Sequence, residues 1–189
     1  MTAMNAILAL VLLFTAVAAG FDVRTGHIPN PLTLGAIAVA AALQLLLLGL
    51  HPQPAAASFT VAALARAALH VVAGAALCGL VPYLLFMRDG MGGGDVKLLA
   101  GVGALLGPVL GLEVELYAFM AMALFACARM AYDGRLLQVL GHSAALLFNP
   151  VLPKARRRAV SPLLFSSLKF APAVFAASAI VTLLRWRTG

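Results

Sequence analysis

The chain has 189 residues, of which 63% are hydrophobic and 10% charged, with a mean hydropathy of +1.05 and a formal net charge of +7. A soluble domain is nearer half apolar and a quarter charged, so a water-soluble globule is excluded and lipid must be the solvent for much of the surface. A β-barrel is excluded too, because its strands alternate polar and apolar residues and the apolar runs here do not alternate.

Six apolar stretches are long enough to cross roughly 30 Å of hydrocarbon as helix. They run over about 4–20, 31–50, 60–87, 95–111, 115–132 and 162–184. The expected fold is an all-α polytopic membrane protein, a bundle of about six transmembrane helices forming one domain over residues 1–189. The first stretch ends in TAVAAG, which offers small residues to a signal peptidase, but the preceding MTAMN lacks the positive charge of a signal peptide. It is therefore expected to remain as a membrane span. Between the fourth and fifth stretches, a short outer loop is expected to carry Glu113 and Glu115 in water. The connection from about 133 to 161 contains LLQVLGHSAALLF, a candidate surface helix, and the basic run Pro153–Arg158, which suits anionic headgroups.

Lysine and arginine placement orients the bundle. Arg24, Arg88, Lys97, Arg129, Arg135, Lys154, Arg156, Arg157 and Arg158 flank one side, and Arg66, Arg185 and Arg187 the other. The first set is expected in the cytoplasm, with membrane lipids rather than nucleic acid as the partner of the basic charge. Lys169 falls within the sixth stretch. Cys78 and Cys127 sit in apolar runs without a C-x-x-C pair, and both are expected to be buried thiols.

Acidic residues in or at a bilayer are costly, and each is a functional-site hypothesis. Asp133 and Asp89 stand beside arginines in turns. Asp22 and Asp95 stand apart from these. Asp22 ends the first stretch and Asp95 begins the fourth, with two complete spans between them, so both carboxylates return to the same face. Two carboxylates that meet cannot both ionise freely, and one keeps a proton. Such a pair can activate water against a peptide carbonyl.

Asp95 follows Gly90, Gly92, Gly93 and Gly94. Glycine lets a backbone approach closely, so an extended substrate strand can lie against this loop; taken alone, the glycines favour a flexible turn or an anion-binding nest. Asp95 is expected to cap the helix that follows. Three roles fit Lys97: neutralising Asp95, binding headgroups, or snorkelling. Pro29, Asn30 and Pro31 suit a helix start, with Asn30 as the cap. His70, one turn after Arg66, is expected to be buried and bonded to backbone. No H-E-x-x-H or G-x-S-x-G occurs, so neither a zinc protease nor a serine hydrolase is indicated.

FDVRTGHIPN after the first stretch and GMGGGDVKLLAGVGALLG at the fourth resemble the type IV prepilin peptidases, intramembrane aspartyl proteases of the GxGD class. In that family the first catalytic aspartate precedes a short basic loop ending in I-P-N. The second is the aspartate of G-x-G-D, followed by x-K-L. The resemblance implies catalytic roles for Asp22 and Asp95, and substrate-binding or loop-shaping roles for Gly92, Gly94 and Lys97. Pro29 and Asn30 are then structural residues near the site, and no cofactor or metal is required. The implied substrate is a prepilin or pseudopilin, with a short basic leader before a hydrophobic helix, cut at the cytoplasmic face of the bacterial inner membrane. The paired C-x-x-C motifs of the longer bifunctional members are absent, so the chain looks like the short peptidase-only members of Tad/Flp pilus systems, with no soluble methyltransferase domain. A different class, a small transporter or ion pathway using Asp22 and Asp95 as cation or proton ligands, also suits two acids beside a glycine-broken helix start.

Overall fold

A computed structural model describes residues 3–50, 61–88, 90–132, 134 and 169–186. Asp89, Asp133, most of the 133–161 connection and residues 162–168 of the sixth stretch lie outside the described residues. The helices are α1 (Ala3–Thr25), α2 (Asn30–Leu50), α3 (Val61–Phe86), α4 (Gly93–Tyr132) and α5 (Ala171–Trp186). In lipid every backbone polar group must be satisfied within the chain, and helices do this segment by segment. α1 to α4 are long and apolar enough to cross a membrane. Large apolar side chains such as Leu13, Leu34, Leu69, Val72, Val109 and Leu124 are more than half exposed. A soluble monomer rarely presents so much apolar surface.

The chain divides into two compact units, one of residues 1–119 with 169–189 and one of residues 120–168. In the first unit, α1 packs chiefly against α5 and α2 against α3. Leu8, Val11 and Ala18 of α1, and Ala171, Val174, Ala177 and Val181 of α5, are buried. The small residues among them let backbones approach, which is how helices associate where lipid tails are as apolar as leucine. Two of the buried hydroxyls are satisfied within their own helices, Thr15 Oγ1 donating to the Val11 carbonyl and Ser178 Oγ to the Val174 carbonyl, each at 2.8 Å. Phe119 and Phe170 stack at a tilt, with ring centroids 5.2 Å apart.

The fourth and fifth stretches meet differently from expectation. α4 is continuous to Tyr132 except at Gly107, where φ is 78° and ψ 177°, directly before Pro108. A Cβ on Gly111 would stand 2.9 Å from the Gly103 Cα. In a straight helix residues eight apart are separated by about 12 Å, so α4 folds back on itself at Gly107. The turn comes before Glu113 and Glu115, not between or around them. Both glutamates are helical: Glu115 is buried, and Glu113 accepts a hydrogen bond from Arg185 at 2.8 Å. With α4 counted as two limbs, the described fold has six helical segments, in line with the expected bundle.

Glycine makes the elbow compact. Gly103, Gly107 and Gly111 recur every four residues on α4, and Gly74 and Cys78 share this spacing on α3. A Cβ on Gly74 would overlap the Gly103 carbonyl, and one on Gly107 would overlap the His70 ring. His70 is half-buried against this elbow. Cys78 is buried as expected, but Cys127, in the second unit, is exposed.

Candidate active site

Asp22 lies inside the last turn of α1, which continues to Thr25. The Gly26 amide donates to the Asp22 carbonyl at 2.9 Å, with Gly26 at φ +65°. A glycine in left-handed conformation is a common helix stop, and it turns the chain sharply after Asp22. Thr25 Oγ1 donates to the Phe21 carbonyl at 2.8 Å and accepts from the His27 amide at 3.3 Å, fixing the exit. α2 then starts only five residues after α1 ends.

Asp95 reaches the same place from the other side. α4 starts at Gly93, and the Asp95 and Val96 amides both donate to the Gly92 carbonyl, at 3.1 and 3.4 Å. Asp95 is therefore the third helical residue and not the cap; its carboxylate still sits in the first turn, where the helix dipole favours negative charge. Gly92 lies against this carboxylate, since a Cβ there would be 3.3 Å from Asp95 Oδ2. A Cβ on Gly94 would stand 3.4 Å from Ile28 of the α1–α2 connection, and one on Gly93 would stand 3.3 Å from the Phe86 ring of α3. Ile28 is buried. Gly94 thus lets the two loops close on each other, a packing role that the spacing of the glycines alone left open.

The two loops enclose a cavity of about 350 Å³. Asp22 and Asp95 both line it, as do Gly26, His27 and Ile28 from one loop and Gly92, Gly93 and Gly94 from the other. Asn30 and Lys97 complete the lining. Asp22 is only 8% exposed, and its Oδ2 has no hydrogen-bond partner among the described residues. The two carboxylates are close enough to interact electrostatically. Among the described residues no three His, Cys, Asp or Glu side chains gather as metal ligands do.

Lys97 and Asn30 have roles that their local sequence does not specify. Lys97 Nζ donates to Asn30 Oδ1 at 2.7 Å, across 67 positions of sequence. This ties the start of α2 to the start of α4. The Asn30 side-chain oxygen is thereby committed to Lys97 instead of capping α2, while Thr33 Oγ1 donates to the Asn30 carbonyl at 3.1 Å. Pro29 accepts from the Leu32 amide at 3.1 Å, shaping the helix entry as expected.

Lys169 stands in non-helical chain just before α5. Its Nζ donates to the Val23 carbonyl at 2.6 Å, one residue past Asp22. His27 and Ile28 on the cavity wall, and Lys169 behind it, were not singled out from sequence. His27 and Ile28 could have been, because they fill the short connection between Asp22 and Asn30. Lys169 carries no such signal.

A helical membrane protein with two carboxylates lining one cavity at helix ends is the class that fold and site define together. Residues 8–127 match the type IV leader peptidase family, and the chain belongs to that family. The match includes both aspartates and both loops. Comparisons with curated proteins and with solved structures gave no match.

Proposed function

We propose that the protein is an aspartyl endopeptidase that removes the basic leader from type IV prepilins or pseudopilins, with Asp22 and Asp95 as its catalytic pair. The observation that supports it best is the shared cavity, with two interacting carboxylates and the Asp22 Oδ2 free of any described partner. In this reading the pair holds one proton. The ionised carboxylate takes a proton from water as the water oxygen attacks the scissile carbonyl carbon. The protonated carboxyl gives its proton to the carbonyl oxygen. As the tetrahedral intermediate collapses and the C–N bond breaks, the proton taken from water passes to the leaving amine, and a hydroxyl of the intermediate returns its proton to the other carboxylate as the new carbonyl forms.

Gly92 and Gly94 keep the loop beside Asp95 thin, so a substrate strand can reach the pair. Lys97 and Asn30 hold the two loops at a fixed separation. Pro29 directs the chain into α2. The lysine and arginine distribution supports a cytoplasmic location for this end of the bundle, and in this reading the substrate's basic leader enters from there. The bacterial inner membrane is the corresponding location, with lipids around the bundle.

Co-expression with a prepilin tests the reading, with the mature N-terminus read by mass. Asp22→Asn and Asp95→Asn should each lower cleavage by at least roughly a hundredfold, with insertion in the membrane unchanged. Undiminished cutting by either variant would refute it. If a correctly inserted wild type cut no prepilin but liposomes showed ion flux dependent on both aspartates, the pair would belong to a transport pathway instead.

A further inference from the structure

A second cavity, of about 320 Å³, opens on the apolar surface of the same unit. Leu13 and Val17 of α1, Pro31, Gly35 and Val39 of α2, and Leu105 of α4 are among the residues that line it. Its origin is the packing pattern: α1 pairs with α5 and α2 with α3, so α1 and α2 diverge and leave a groove between them. The lining is almost wholly apolar, and Leu13, Val17 and Val39 are each more than a third exposed. In a membrane this groove faces hydrocarbon.

The groove is continuous in the chain with the carboxylate cavity. Pro31 follows Asn30 on α2, Val17 precedes Asp22 on α1, and Leu105 follows Asp95 on α4. The three helices that build the polar cavity thus also build the apolar groove. Val17 stands about 7–8 Å along α1 from Asp22, and Pro31 to Val39 spans about 12 Å of α2, or two helical turns. A void of about 150 Å³ takes one benzene-sized group, so this groove takes about two such side chains from one face of a helix.

We propose that this groove is the docking site for the substrate's membrane helix, the segment immediately following the cleaved bond. The inference rests on the proposed peptidase reading and extends it. A polypeptide with its scissile bond between Asp22 and Asp95 has to leave the polar cavity. The groove gives it an apolar path on the same helices, where its side chains replace lipid tails. The occupant is then an apolar helix joined covalently to a polar leader, and the groove selects for that join. A lone acyl chain fills the groove equally well by polarity but gains nothing from its continuity with the carboxylates.

Gly35 makes the test clean, because a Cβ there meets nothing within 4 Å. Gly35→Trp brings an indole into the groove from a Cβ position that is free of contacts. Leu34→Trp places the same bulk next door, at a site already 64% exposed and outside the groove lining. The assay compares kcat/KM for two substrates in micelles: a basic leader joined to a 20-residue apolar helix, and the same leader ending three residues past the cut. Gly35→Trp should lower the preference for the helix-bearing substrate roughly tenfold, the scale of one helix contact in lipid, while Leu34→Trp keeps it. An unchanged preference in Gly35→Trp, or an equal loss against both substrates, would overturn the docking role.

A photocrosslinker at position 39 in the Asp95→Asn background supplies the second measurement. An adduct with the helix-bearing substrate is expected there and not from position 34. Adducts with lipid alone would assign the groove to acyl chains and overturn the proposal. The peptidase reading fails separately, if Asp95→Asn itself still cuts.

Discussion

Gly107→Ala tests the elbow that carries the first limb of α4, and with it Asp95. Two costs combine. Backbone at φ 78°, ψ 177° lies in a region essentially reserved for glycine, and occupying it costs another residue of order 1–3 kcal/mol. The added Cβ also falls on the His70 imidazole, overlapping Cε1 and Nε2, and such overpacking typically costs about 1–3 kcal/mol. Gly107→Ala should therefore destabilise by about 2–6 kcal/mol. Removing the ring with His70→Ala takes away the second share, so the double variant should sit only about 1–3 kcal/mol below His70→Ala alone. Equilibrium unfolding in mixed micelles measures both, with Trp186, the single tryptophan, as the fluorescent probe. A Gly107→Ala variant within about 0.5 kcal/mol of wild type would refute the elbow. A cost independent of His70 would refute the steric share and leave only the backbone one.

Two further predictions concern the site's supports. Lys97→Met and Asn30→Ala remove the same 2.7 Å bond. Lys97 is exposed, so stability should change by no more than about 1 kcal/mol. Cleavage should fall to a similar degree in each single variant and no further in the double, as for partners in one interaction; multiplying losses would show that the two residues act separately. Lys169→Met removes the bond to the Val23 carbonyl and should lower kcat with little change in KM, because it loosens the turn that holds Asp22. Lys169→Arg should restore most of the rate, and equal behaviour of the Met and Arg variants would exclude a positioning role.

Much of the site was legible in local sequence. Asp22 ends one apolar run and Asp95 begins another, and an even number of spans between them returns both to one face. That argument needs only helix length and bilayer thickness. The acidic residue behind four glycines stood out because charge in this chain is so sparse. Glu115 was misread for a related reason. It was assigned to a turn because an acid is expected in water, yet the chain turns eight residues earlier, at Gly107. The signal was present in the Gly107–Pro108 pair, since that dipeptide punctuates helices. The charge at 113 and 115 outweighed it. Cys127 was misread from composition, because in lipid an apolar run does not distinguish a buried face from an exposed one.

The sequence by itself determined the solvent, the helical class and the level of the two aspartates, because hydrophobic run length and charge position are local quantities. Only the tertiary structure decided which polar groups meet. Lys97 finds Asn30 and Lys169 finds Val23 across 67 and 146 positions. The fold-back at Gly107 buries Glu115, and the divergence of α1 from α2 opens the apolar groove. Each of these depends on which helix lies beside which, and in lipid that choice is made by close packing of small residues, a property of two surfaces together and not of either run alone.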